Sequence, residues 1–264
     1  MKLVNLILVT GGLLAACSTS KKDTSLSEEP IVEAIEVVPN PPAEGFDVEG
    51  SDAIAVLLAD QVMDAMGGRE NWNNTRYLYW NFFNARTLLW DKWTGDVRIE
   101  FLKEDTKILM NVRSMEGKVW KDGTLVADPA EMLSRGKSIW INDSYWLVMP
   151  FKLKDSGVTL KYAREDTTLA GTQSEVLNLT FEKVGDTPDN RYEVWVDSES
   201  KLVTQWAFYR SYADTVAGFT LPWGDYQKYG NILLSGDRGE RDLTDIRVLK
   251  EVPEGIFENV EVTL

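Results

Sequence analysis

From Val97 onward, hydrophobic and polar positions alternate with a period of two. In "EVLNLTFEK", Leu177, Leu179 and Phe181 share one face, and Asn178, Thr180 and Glu182 share the other. "VRIEFLK" separates Val97, Ile99 and Phe101 from Arg98 and Glu100, and "KILMNVR" separates Ile108, Met110 and Val112 from Lys107, Asn111 and Arg113. "VTLKY" and "TDIRVLK" repeat the pattern less fully. Such alternation predicts antiparallel strands with one face on a core and the other in water. Turn sequences join them: "KDGT" at 121–124, "GDTPDN" at 185–190 and "DSESK" at 197–201.

Two stretches switch to a helical period. "SDAIAVLLADQVMDAMGG" has Ser51 or Asp52 as N-cap and Gly67-Gly68 as a stop. Wound at about 100° per residue, Ile54, Val56, Leu58, Ala59, Val62, Met63, Ala65 and Met66 cover more than half of its circumference. A polar strip remains around Asp60 and Asp64. A helix apolar over so wide an arc is enclosed on most sides, which suits a curved sheet wrapped around it. The second stretch, "DPAEMLSRG", offers Asp128 as N-cap, Pro129 at the first helical position and Glu131 as capping-box partner. It continues toward Trp140 and Met149, with Gly136 as a point of weakness and Pro150 as its end. Helix, strands, helical insertion and strands again make an α+β layout.

The N-terminal residues belong to neither pattern. Lys2, an apolar run through Ile7, Leu8 and Leu14, and then small residues read as a secretory signal. The run is too short to span a hydrocarbon core of roughly 30 Å. Leu14-Ala15-Ala16-Cys17 resembles the lipobox of bacterial lipoproteins. That resemblance implies loss of residues 1–16 and lipid attachment at Cys17. One acyl chain binds membranes marginally, whereas two or more anchor stably. Ser18, rather than an aspartate, implies by the same resemblance the outer membrane, with the body facing the periplasm. Residues 17–50 are Ser/Thr/Lys-rich, then acidic and dotted with Pro39, Pro41 and Pro42, and read as a flexible spacer. The body, 51–264, has roughly 210 residues, enough for one core. It is expected to be monomeric and, with its single cysteine used by the anchor, to lack disulfides.

Charge and chemistry narrow the function. With 28 basic and 42 acidic residues the chain carries a net charge of -14, which disfavours nucleic acid and anionic lipid head groups. It has no histidine, and so lacks the usual general base and the commonest transition-metal ligand. There is no Gly-x-Ser-x-Gly and no Gly-rich phosphate loop, and "SGDRGERD" (235–242) fails the EF-hand spacing and reads as a turn. No cofactor and no metal are expected. A carboxylate pair such as Asp91 and Glu100 across a hairpin keeps a hydrolase as an alternative. Ten tryptophans, nine tyrosines and nine phenylalanines stand out. Many, including Trp80, Phe82, Trp90, Phe101, Phe181, Trp206 and Phe208, fall on apolar strand faces. They suit either a packed core or the lining of an apolar cavity.

The order of elements and several motifs resemble the LolA/LolB superfamily of periplasmic lipoprotein carriers and receptors. The residues that carry the likeness are "AMGGRENWNN", "WDKWTGDVRIEF", "EGKVWKDG", "MPFKLKDSGVTL" and "YEVWVDSESKLVTQWAFY". It spans roughly Ser51 to Val260 and is nearer to a lipoprotein branch than to the soluble carrier. The resemblance implies an unclosed antiparallel β-barrel, a curved sheet wrapped around and covered by helices. It also implies non-catalytic binding of lipid or lipoprotein acyl chains. Ligand contacts would come from Trp80, Phe82, Phe101, Met110, Phe181, Trp206 and Phe208 of the sheet. Met132 and Trp140 of the 128–149 insertion, the candidate cover, would complete the set; methionine suits a surface that must repack. One departure stands out: the carrier's "W-x-K-R-P" stretch supplies an arginine that latches its lid, and Trp90-Asp91-Lys92-Trp93-Thr94 has a tryptophan there. A further alternative is an envelope sensor or scaffold using its aromatic surface to bind another envelope protein.

Overall fold

In the computed structural model of the chain, the described residues are 40–182 and 189–264. Cys17, the expected signal and the spacer up to residue 39 lie outside them, as does most of the 185–190 turn. Three antiparallel sheets carry the fold, and no barrel closes among the described residues. The first contains β1 (Tyr77–Phe82), β2 (Arg86–Asp91), β3 (Asp96–Phe101), β4 (Thr106–Asn111), β5 (Gly117–Lys121), β6 (Thr124–Leu125) and, from the end of the chain, β14 (Leu243–Leu249). Their order is β14-β1-β2-β3-β4-β5-β6. The second contains β7 (Val158–Thr167), β8 (Gln173–Phe181), β9 (Arg191–Asp197), β10 (Val203–Tyr209) and β11 (Phe219–Pro222), in the order β11-β10-β9-β8-β7. A ribbon of β12 (Gly224–Tyr229) and β13 (Ile232–Asp237) is the third. The helices are α1 (Ala53–Ala65), α2 (Arg69–Asn74) and α3 (Ala130–Val148), and a 3-10 turn at Met149–Lys152 follows α3.

The alternation places side chains as expected on the inner faces. In β1, Leu78, Trp80 and Phe82 enter the main core while Tyr79 and Asn81 do not. The "KDGT" hairpin joins β5 to β6 with Asp122 at φ 50° and Gly123 at φ 71°, the left-handed pair that matches strand twist. Between β9 and β10, Asp197 Oδ1 accepts the N–H groups of Glu199 and Ser200.

The outer faces depart from the expectation that they meet water. Arg98 of β3 is buried because the C-terminal segment crosses it, and its guanidinium donates to the carbonyls of Ile256, Asn259 and Val260. On the far face of the second sheet, Val176, Trp195, Ala207 and Tyr209 form a second small core.

The spacer expected through Gly50 ends earlier. Phe46 is buried, and the backbone of 43–52 bonds along Lys154 and the start of β7: Ala43 N–H to Lys154 O, Asp47 N–H to Val158 O and Asp52 N–H to Leu160 O. Asn40 is held between Asp60 and Arg69. Proline-dotted composition missed this because one buried aromatic and a row of backbone hydrogen bonds suffice to fix the segment. Asp52 is the N-cap of α1, but its carboxylate accepts from the Tyr162 N–H and Lys161 Nζ instead of capping the helix. The buried stripe of α1 is narrower than expected: Ala55, Leu58, Ala59, Val62 and Met63 are buried, whereas Ile54 is exposed. Pro129, not Asp128, is the N-cap of α3, which runs unbroken through Gly136. A Cβ there would lie 2.9 Å from Met110 Sδ and 3.2 Å from Ile108 Cγ2, so this glycine permits close approach of α3 to β4.

Candidate functional site

The C-terminal half of α3 touches both large sheets and is fastened to its surroundings by two arginines. Arg86 of β2 donates twice to Asp143, Nε to Oδ2 at 2.6 Å and Nη2 to Oδ1 at 2.7 Å. Asp143 is fully buried; burial pushes its carboxyl above the ordinary value, and Arg86 and Asn142 pull against that rise. Arg238 donates from Nη2 to the Trp146 carbonyl at 2.7 Å, supplying positive charge to the last turn of α3, where free carbonyls favour it. Arg238 is itself fully buried, with its guanidinium 3.5 Å from the Trp223 ring centroid, and burial lowers it to about 9.

Beside this half of α3 lies a cavity of ≈ 370 Å³. Its apolar wall comes from Trp140, Tyr145 and Trp146 of the helix, and from Val158, Phe181 and Tyr192 of the second sheet. Tyr145 lies 5.4 Å from Tyr192 and 6.4 Å from Phe181, ring centre to ring centre, and Tyr192 stacks on Trp206 at 5.4 Å. Burial raises Tyr192 to about 12 and Tyr145 well above its ordinary value, so both phenols stay neutral. Apart from Ile141, the remaining lining is polar: Asn142 and Ser144 of α3, Ser156, Asn190 and an ion pair of Lys152 with Asp155. The arrangement can enclose an apolar body and meet a polar end. Among the described residues its lining holds one carboxylate, Asp155, and no carboxylate pair.

Of the nine sequence-derived ligand residues, Trp140 and Phe181 line this cavity. Trp80 and Trp206 are fully buried in the main core, and Phe82 packs on Phe83 and Trp146. Met110 lies under Gly136, and Phe101 sits beneath the Arg135 guanidinium at 5.3 Å. Phe208, the cross-strand neighbour of Tyr192, packs 5.3 Å from both Tyr192 and Phe219 and is outside the lining. Met132 is half-buried against the core, away from the lining. Six of these seven belong to or pack against the main core, and Phe208 lies beside it.

Sequence reasoning missed Tyr145 and Tyr192, although both lie inside segments it singled out, and it missed the polar lining. The Arg86–Asp143 pair left no trace at helical spacing because it joins two distant elements. The suggested Asp91–Glu100 pair does not form: Glu100 stands opposite Thr87 in the β2–β3 ladder. Asp91 instead binds Arg76 at 2.8 Å and caps the N–H groups of Trp93 and Thr94. Although burial raises its carboxyl, those partners outweigh the effect and hold it below the ordinary value. Trp93 is half exposed, and its Nε1–H donates to the Asn73 carbonyl. "SGDRGERD" connects β13 to β14, with Asp237 and Asp242 accepting backbone N–H groups.

Among solved structures, the chain is similar to a DUF1329 family protein from Desulfovibrio piger, at 14% identity and a TM-score of 0.46, over 79% of this chain and 99% of that one. It is also similar to a LolA superfamily protein from Nitrosomonas europaea, at 10% identity and a TM-score of 0.42, over 78% and 97% of the two chains. No family model and no curated protein matches the sequence. Function is therefore argued from the chain's own cavity.

Proposed function

We propose that this protein binds a hydrophobic, lipid-class ligand in the cavity beside α3 without transforming it, and that Cys17 holds it on the outer membrane facing the periplasm. The cavity carries the reading: ≈ 370 Å³ lies within the range of small-molecule sites, and aromatic walls with a few polar groups are their usual lining. A scaffold reading would want the aromatics outside, yet Trp80, Trp206 and Trp223 are fully buried. A hydrolase reading would want convergent carboxylates, and among the described residues the lining holds a single one, Asp155, already paired with Lys152.

Hydrophobicity alone gives such a site no direction. A buried methylene is worth about 0.8 kcal/mol against water, but a chain drawn from a bilayer leaves an equally apolar place. Selection must come from shape and from polar contacts. The test is native mass spectrometry of the chain carrying Cys17→Ser, purified without detergent, followed by lipid extraction and titration with long-chain lipids. A stoichiometric bound lipid, or saturable uptake of an added one, is expected. A clean mass that takes up nothing would end the proposal. The same preparation tests the anchor: the variant should leave the membrane fraction, and retention after a high-salt wash would contradict attachment at Cys17.

A further inference from the structure

Two cations meet on α2 without a carboxylate between them, in a chain whose net charge is -14. The Lys92 ammonium, just past the end of β2, lies over the Trp72 ring at 4.4 Å from its centroid. Trp72 is itself held by stacking on Phe151 at 4.3 Å. Arg69 stands three residues before Trp72, so the two share a face of α2, with Cβ atoms about 5–6 Å apart. Arg69 donates from Nε to Asn40 Oδ1 at 2.7 Å, and its two amino groups have no partner among the described residues. The Lys92 ammonium has none besides the ring. Neither side chain is among those whose unpartnered nitrogens are closed to water, so an anion from solution can reach both.

The charge around them is not balanced. The carboxylates that act on Arg69 are Asp155 and Asp60. Each is already in an ion pair, Asp155 with Lys152 and Asp60 with Lys154. Four cations therefore face two carboxylates. Lys92 registers the deficit: burial, and after it the like charge of Arg69, lower it to about 8. Like charges held side by side and partly out of water weaken a fold unless an anion joins them.

We propose that Arg69 and Lys92 form a binding site for a phosphate group, either free or as a lipid head group. A phosphate monoester carries about -1.5 to -2 at pH 7 and so answers both charges, whereas a carboxylate answers one. Arg69 supplies a planar fork that suits two phosphate oxygens, and Lys92 a point charge. The Trp72 ring holds the ammonium from its other side. Asp155, which acts on Arg69, also lines the cavity, so a lipid with its chains inside would turn its head group this way. The phosphate site itself does not depend on the lipid reading.

The test is calorimetric titration of the Cys17→Ser chain at pH 7, at constant ionic strength in sodium chloride, with inorganic phosphate and dihexanoyl phosphatidate as probes. Saturable binding is expected. Lys92→Met and Arg69→Gln should each weaken it on the order of tenfold, and Lys92→Arg should keep most of it. Lys92→Met leaves an aliphatic stem on Trp72 and removes an uncompensated charge, so its unliganded melting temperature should equal or exceed the parent's. Phosphatidate binding tighter than phosphate, with the same loss in Lys92→Met, supports the site and identifies a lipid head group. Equal affinities support it and identify free phosphate. Binding of neither probe, or binding that Lys92→Met and Arg69→Gln leave unchanged, overturns the phosphate site. The cavity reading would then stand or fall on long-chain lipid uptake alone.

Discussion

Arg86→Met isolates what holds α3 in place. The substitution keeps most of the side-chain volume but strands the Asp143 carboxylate, fully buried, with Asn142 as its remaining side-chain partner. Breaking a buried pair from one side costs about 3–5 kcal/mol, because an uncompensated charge stays inside. In a body of this size 1 kcal/mol moves the melting temperature by about 2–4 °C, so a fall on the order of 6–20 °C is expected at pH 7. The loss should depend on pH with a definite sign. Burial already holds Asp143 above 3.8, and removing the opposing guanidinium raises it further. A carboxyl whose folded pKa exceeds its unfolded one holds its proton more tightly when folded. Its contribution is fully present below the unfolded pKa and is lost as pH rises through the folded one. The gap between variant and parent should therefore narrow as pH is lowered from 7 toward 4. Thermal melts of both chains at pH 7, 5.5 and 4.5 measure it. Adding Asp143→Leu should recover most of the loss, because an apolar pair in place of a buried ion pair is often neutral or better. A gap independent of pH, or a double variant no better than the single one, would refute the stranded-charge reasoning.

Two further outcomes test how the surroundings of the site are built. Gly136→Leu places a side chain where even a Cβ comes within 2.9 Å of Met110 Sδ, and overpacking of this kind costs about 1–3 kcal/mol. The melting temperature should fall by about 2–12 °C, and an unchanged value would mean that α3 does not lie so close to β4. Asn40→Ala removes the donor to Asp60 at 2.6 Å and the acceptor from Arg69 at 2.7 Å. Hydrogen exchange should then quicken at the amides of Ala43, Asp47 and Asp52, which bond to Lys154 and to Val158 and Leu160 of β7, and unaltered exchange would show that Asn40 does not pin this segment.

What could be read in the sequence was what neighbouring residues decide among themselves. Alternation named Val97 and Ile99 or Ile108 and Met110 as inward residues, and "KDGT" carried its own turn chemistry. Distant segments decided the rest. Arg98 reads as a solvent-facing residue until residues 256–260 are laid across it. Gly136 reads as a helix break, yet the helix continues, and what needs the glycine is β4 beneath it. The cavity shows the same limit. An apolar strand face tells that a residue points inward, but not whether the space before it is filled. Trp206 and Phe181 look alike in sequence; Trp206 is closed in by Trp146, Tyr192 and Trp223, while Phe181 borders open space.

That geometry also decides which part of the 128–149 insertion could act as a cover. Its N-terminal half buries only Leu133 and Gly136, whereas the half that lines the cavity buries Asp143, Ser144, Trp146, Leu147 and Val148. Lifting the second half would break two hydrogen bonds from Arg86 and one from Arg238. Bonds to charged groups contribute about 1.5–3 kcal/mol each, so the cost reaches about 5–9 kcal/mol before any apolar surface is exposed. With every 1.4 kcal/mol a factor of ten, the lifted state is populated below about one part in a thousand. The cavity-lining half of α3 is thus a fixed wall. The amides of residues 143–148 should then exchange only with global unfolding; faster, independent exchange there would return the helix to the role of a moving cover.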